Sequence, residues 1–247
     1  MKADPSAQHR LLEVQVLDSR ADQALHRRTS MPELAEMVVL ETSRQEFDDA
    51  RRDAQIAVDD LELAQRKADV DVEAVRARRT RDRDRMDKGL VTNPKDLERM
   101  THELGALDRR ISVLEDEELK IMEQLEAAQS ALEEQVQRVS AADERLAELA
   151  VLRDAKLVDL ESEMATVTTE RVPAVEGMPV DLLALYDKLR AHKGGVAVAE
   201  LRQRRCTGCQ LNIDNAELAV IAGSPVDLVV RCEECSRILV RTDESGL

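Results

Sequence analysis

From Leu97 onward, apolar residues return in steps of three and four, with two steps of seven. The series runs through Met100, Leu104, Leu107, Ile111, Leu114, Ile121, Leu125, Ala128, Leu132, Val139, Ala142 and Leu146 to Leu149. A mean step near 3.5 residues is the coiled-coil period. Such a chain must form a long helix and bury one narrow stripe against another helix. A second series supplies the partner: Met37, Leu40, Phe47, Ala50, Ala54, Ala57, Leu61, Ala64, Ala68 and Val75, with Arg44 and Asp71 in the two skipped positions. One stripe is leucine-rich and the other alanine-rich, so large side chains can fill the space that small ones leave.

Capping residues divide the helices. Residues 7 to about 28 carry Leu11, Val14, Leu17, Ala21 and Leu25 on one side and form a first helix. Ser30, Pro32 and Glu33 read as a capping box that starts the second. Gly89 can end it; Asn93 can cap a third helix with Pro94 at its first position. The third is expected to stop at Val172-Pro173. At 1.5 Å per residue the second helix spans roughly 85 Å and the third roughly 110 Å, so the first should pack beside the base of the third. The short turn favours an antiparallel hairpin within one chain over a parallel dimer.

Composition agrees. Charged residues make up 35% and aromatics 1%, which suits long helices rather than a centred globular core. The formal net charge of −15 argues against broad, non-specific adhesion to nucleic acid. Met1 to Arg10 has no apolar run, and no stretch reaches membrane-spanning length, so a cytoplasmic protein is expected.

Beyond the linker at Glu176 to Pro179, the pattern shortens. Asp181 to Ala191 reads as a helix, Val196 to Arg205 as a strand, and Asp214 to Ala222 as a small helix. Leu228 to Val230 and Ile238 to Val240 read as short β runs. The cysteines form two Cys-x-x-Cys pairs, Cys206 with Cys209 and Cys232 with Cys235, separated by 22 residues. Each pair can turn both sulfurs onto one ion, and four thiolates close a tetrahedral zinc site with no open position. The zinc is therefore expected to be structural. Gly208 is read as giving the first turn its backbone freedom.

Two basic clusters stand out. Arg202, Arg204, Arg205, Arg231, Arg237 and Arg241 flank the cysteines. They can balance the thiolate charge or form a face for nucleic acid. Arg76, Arg78, Arg79, Arg81, Arg83, Arg85, Lys88, Lys95 and Arg99 crowd the hairpin turn, with Asp82, Asp84, Asp87, Asp96 and Glu98 among them. The turn is net basic in an acidic chain, which suits a phosphate-rich or acidic partner. No aromatic lies in the ribbon, so phosphate contact is expected over base stacking.

Asn93-Pro94-Lys95-Asp96-Leu97, the acidic run Leu114 to Leu119, and the ending Cys-x-x-Cys … Cys-x-x-Cys-x-Arg-Ile-Leu resemble the bacterial C4-type zinc-ribbon proteins with an N-terminal coiled-coil hairpin. The resemblance covers essentially the whole chain. It implies a zinc ribbon packed at the base end of a long hairpin and roles in binding nucleic acid, RNA especially, or protein partners in gene regulation. It places the zinc ligands at Cys206, Cys209, Cys232 and Cys235, and it brings no catalytic residues. Ser236 departs from it, standing where glycine is expected after the last cysteine.

The fold expected is mainly α: a coiled-coil hairpin over residues 1–172 with its tip near 88–94, and a small α/β zinc ribbon over 178–247. An enzyme finds no support. There is no phosphate-cradling glycine loop, and His9, His26, His102 and His192 do not cluster in sequence. No small-molecule substrate is expected. The function expected is a zinc-ribbon regulator that binds RNA or DNA through Arg202, Arg204, Arg205, Arg231, Arg237, Arg78, Arg79, Arg81, Arg83 and Lys95. The alternative is a protein adaptor, or an RNA-polymerase-associated factor that uses the hairpin as a spacer.

Overall fold

The computed structural model describes all residues, Met1–Leu247. Three helices precede the ribbon: α1 (Pro5–Thr29), α2 (Pro32–Asp87) and α3 (Pro94–Val175). Ion pairs join α2 to α3 with residue numbers falling on one helix as they rise on the other: Arg44 to Asp143, Arg76 to Glu115 and Arg79 to Asp108. The two helices are therefore antiparallel. The same progression joins α1 to the end of α3, through Arg20 to Glu170 and Arg27 to Glu163. So α1 packs along the last part of α3, which has 82 residues to the 56 of α2.

The turn between α2 and α3 follows the expected chemistry. Gly89 adopts φ 67°, and the amides of Gly89 and Leu90 bond back to Met86 and Arg85. Those are the two bonds of a Schellman cap. Asn93 Oδ1 accepts from the Lys95 amide at 3.1 Å and opens α3.

Four details depart from the sequence reading. Ser30 does not cap α2; its hydroxyl donates to His26 O at 2.7 Å and closes α1 instead. Glu33 reaches across to Lys156 Nζ rather than back to Ser30, so no capping box forms. The α2 seam runs through Phe47, Arg51, Ala54, Val58, Leu61, Gln65, Ala68, Val72 and Val75, whereas Ala50 and Ala57 are exposed. Val58 and Val72 are the buried residues of this helix. Arg51 holds a seam position by burying its alkyl stem and pairing with Asp48, which apolar spacing alone hides. Lastly, α3 continues past Pro173 to Val175, because Ala174 and Val175 pack on the core below.

Beyond α3 come α4 (Val180–His192), β1 (Val198–Arg202), β2 (Arg205–Cys206), α5 (Asn215–Gly223), β3 (Val230–Arg231) and β4 (Ile238–Arg241). The sheet order is β2-β1-β4-β3; β1 and β4 are parallel, and the outer pairings are antiparallel. The strand expected over 196–205 is thus a hairpin. Gln203 and Arg204 turn it with φ 49° and 65°, held by amide bonds to Glu244 O and Ser245 O.

Side chains alternate across the strands. Val198, Ile238 and Val240 face Leu11 and Val14 of α1 and Leu182 and Tyr186 of α4. Ala199, Leu201 and Leu239 face the cysteines, Ile213 and α5. Met1–Leu34 and Val151–Leu247 accordingly form one compact unit, and Ala35–Ala150 forms another. No helix is long and apolar enough to cross a membrane.

Candidate metal centre

The four cysteine sulfurs lie within 4.8 Å of one another. Cys206 and Cys235 stand 3.9 Å apart, as do Cys209 and Cys232. A disulfide needs about 2.05 Å. Tetrahedral coordination at a Zn–S distance near 2.3 Å puts sulfurs about 3.8 Å apart. The donor set fits zinc, and four thiolates leave it no open position, so the metal is structural.

Two knuckles with the same construction hold the sulfurs. In each, the residue after the second cysteine is left-handed: Gln210 at φ 66° and Ser236 at φ 63°. Its amide bonds to the carbonyl of the first cysteine, Gln210 to Cys206 and Ser236 to Cys232. The arginine before each pair clamps that same residue. Arg205 Nε donates to Gln210 O at 2.7 Å, and Arg231 Nε donates to Ser236 O at 2.9 Å. The repeat Arg-Cys-x-x-Cys is visible in the sequence, although its role as a clamp is not. Gly208 is required for a different reason than backbone freedom. A Cβ there would come within 2.8 Å of Arg237 Cδ and 3.0 Å of Ala199 Cβ.

Burial pushes the Cys206 thiol up and the Cys232 thiol up to about 12. Burial raises Cys235 too, but hydrogen bonds from the Arg237 backbone and side chain and from Cys232 and Cys209 together outweigh it and leave that thiol at about 7. Zinc therefore displaces protons when it binds.

The ribbon arginines are largely committed within the fold. Arg237 donates to Val196 O at 2.8 Å, Lys193 O at 3.1 Å and Gly208 O at 3.3 Å. Arg241 gathers the carbonyls of Ile221, Ser224, Pro225, Val226 and Leu228. Arg202 pairs with Glu244, and Arg204 bonds to Asn215. Around the second knuckle, Glu233 donates its amide to Glu217, with Glu234 beside it. Those carboxylates add to a zinc–thiolate charge of about −2.

At the hairpin turn, the basic residues divide. Arg78 pairs with Glu103 and Arg79 with Asp108, so both join α2 to α3. Lys88 pairs with Asp84 and Arg99 with Asp96. Arg81, Arg83, Arg85 and Lys95 are exposed and form no ion pair. Arg78, Arg85 and Arg99 also line an open cleft of about 520 Å³ with Asp82, Asn93 and Leu90.

A buried polar cluster at the base has no signal in the sequence. Asp18 of α1 is 4% exposed. It accepts from Arg171 Nε at 2.7 Å and from the Tyr186 hydroxyl at 2.8 Å. Beside it, Gln15 Oε1 accepts the Ala197 amide at 2.7 Å and Gln15 Nε2 donates to Gly195 O at 2.8 Å. These bonds fix α1 against the entry to β1.

Comparison with known proteins agrees with this architecture. Residues 14–194 match the CT398-like coiled coil hairpin domain, and residues 205–239 match the C4-type zinc ribbon domain. The chain is 31% identical over 243 residues to the uncharacterized protein Rv2229c of Mycobacterium tuberculosis (strain H37Rv), covering 98% of each. A solved structure from Mycobacterium smegmatis is 34% identical, with a TM-score of 0.81 over 98% of this chain and 100% of that one. CT398 from Chlamydia trachomatis shares the fold, with a TM-score of 0.68 at 16% identity, covering 96% of this chain and 98% of its own.

Proposed function

The chain belongs to the CT398-like coiled-coil hairpin family with a C4-type zinc ribbon, and from that premise we propose that it is a non-enzymatic, cytoplasmic protein that binds nucleic acid through the tip of its hairpin. One observation carries this reading. Arg81, Arg83, Arg85 and Lys95 are exposed and form no ion pair, whereas the ribbon arginines are tied to carbonyls or side chains of their own module. Free guanidinium and ammonium groups attract phosphate and release counterions on binding. The tip carries no aromatic ring, so it does not stack bases. Around the second knuckle, Glu217, Glu233 and Glu234 repel phosphate.

The test is binding of the full zinc-loaded chain to RNA and to duplex DNA at two salt concentrations. Binding should weaken with salt and fall in Arg83→Ala/Arg85→Ala/Lys95→Ala. On duplex, the salt slope should shrink by about 0.9 for each phosphate that is no longer neutralised. Arg202→Ala/Arg204→Ala should bind like the parent. No binding at low salt, or equal binding by the tip variant, overturns the reading.

A protein adaptor is the second reading, favoured by Val180, Val220 and Val226, which stand 85%, 69% and 72% exposed. It predicts a bound protein that is lost in Val220→Glu/Val226→Glu and retained in the tip variant.

A further inference from the structure

Along α2, the row directly opposite the seam carries Ile56, Leu63, Val70 and Ala77 at intervals of seven. The three large residues are 59%, 63% and 66% exposed. Facing water, this row has no reason to be apolar. The corresponding row of α3 is polar at every seventh position, from His102 through Asp116 and Glu123 to Glu144, and all are exposed. A coiled-coil period on the outer face of only one helix marks a second seam without its partner.

The charges flanking this row identify the partner. On one side lie Arg52, Asp59, Arg66 and Glu73; on the other lie Asp53, Asp60 and Lys67. We propose that two copies of this chain pair antiparallel through the outer face of α2, with Leu63 at the two-fold axis. In an antiparallel pair, residues on the same side of the stripe meet. Centred on Leu63, Arg52 meets Glu73 of the second copy, Asp59 meets Arg66, and Asp60 meets Lys67. Ile56 packs on Val70. Asp53 meets Ala74; each of the other charged residues meets its opposite, and each match occurs twice by symmetry. A parallel pair in register would set the two aspartates against aspartates and Arg66 and Lys67 against like charges, which costs stability. Asp59, Asp60 and Lys67 form no ion pair within the chain, and Arg66 makes only a long one, 3.8 Å to Glu62. These four are available for a second copy, whereas Arg52 and Glu73 exchange pairs with Asp48 and Arg76 of their own helix to meet.

From Arg52 to Glu73 the contact extends about 32 Å along the helix. With only three large apolar residues per chain, it should be a reversible, concentration-dependent dimer. The pairing uses residues apart from the free cations of the tip, and it holds whether or not those cations bind nucleic acid.

Sedimentation of the full zinc-loaded chain across the micromolar range tests this, with circular dichroism to confirm that each variant keeps its helix. The parent should pass from monomer to dimer. Leu63→Glu should remain monomeric. Asp60→Lys, which sets two lysines against each other at both symmetric positions, should weaken the dimer about tenfold or more. Adding Lys67→Asp to Asp60→Lys restores both matches and should restore the dimer; only antiparallel self-pairing in this register gives that rescue. A parent that stays monomeric, a dimer that survives Leu63→Glu, or a double variant that stays as weak as Asp60→Lys overturns the proposal.

Discussion

Tyr186 donates its hydroxyl to Asp18 at 2.8 Å, and both residues are buried. The bond ties α4 to α1, while Arg171 ties the same carboxylate to α3. Burial, and then the Asp18 carboxylate itself, push the tyrosine pKa far above its usual value, so it stays a donor throughout the ordinary pH range. Tyr186→Phe keeps the ring and removes one donor from an acceptor that retains Arg171. It should cost about 1–2 kcal/mol in urea unfolding. Asp18→Ala should cost more, about 3 kcal/mol, because it leaves Arg171 and Arg190 without their shared counter-charge.

Removal of zinc should separate the two compact units in their response. Each cysteine contributes one of four closed ligands, and the ribbon core is built on Cys206 and Cys232. Structural zinc typically supplies on the order of 10 kcal/mol of binding free energy. Chelation, or Cys232→Ser, should abolish the stoichiometric zinc and expose Leu201, Leu239 and Ile221. The helix signal of Ala35–Ala150, which contains no metal ligand, should largely remain. A chelated chain that keeps the protease resistance of its ribbon would contradict a folding role for the metal.

Ser236 stands where glycine would fit better. Its φ of 63° costs a residue with a Cβ about 1 kcal/mol. Ser236→Gly should raise stability by about that amount while leaving zinc content unchanged. Gly208→Ala should act oppositely, because its new methyl meets Arg237 and Ala199. Thermal unfolding of the zinc-loaded pair reads both signs.

Much of this was legible in the sequence because it is local. Gly89, Asn93 and Pro94 mark the turn through their own backbone preferences, and the cysteine spacing dictates the metal. The seam on α3 was plain because leucine recurs there. On α2, two interleaved alanine series offer the same period, and the structure follows the one that includes Arg51 and Val58. Apolar spacing favoured Ala50 and Ala57, since an arginine stem that buries while its head stays wet looks polar in the sequence. Asp18, Gln15 and Tyr186 were invisible for a different reason. Their partners lie more than 150 residues away, so no local pattern records them. In the sequence the ribbon arginines can balance the thiolates or form a basic face, and carbonyl partners that only the fold supplies occupy most of them.

Midway along the hairpin, the Glu118 carboxyl of α3 and the Asp69 carboxyl of α2 lie close enough to share one proton through a hydrogen bond. That bond first, then partial burial and the Asp69 charge, push Glu118 above its usual value of 4.5. The folded chain therefore holds this proton more tightly than the unfolded chain does. The bond's contribution is fully present below the unfolded pKa, near 4.5, and is lost as pH rises through the higher folded value. Once Glu118 loses its proton, the Asp69 charge repels it. Asp69→Asn removes that repulsion and gives Glu118 a neutral donor. Solvent screening holds the gain to about 0.5 kcal/mol at pH 7. The advantage should shrink as pH falls toward 4.5, where the parent regains its own bond. Urea unfolding of parent and variant at both pH values checks this, and an equal gain at each pH would mean that the carboxyl pair is not its source.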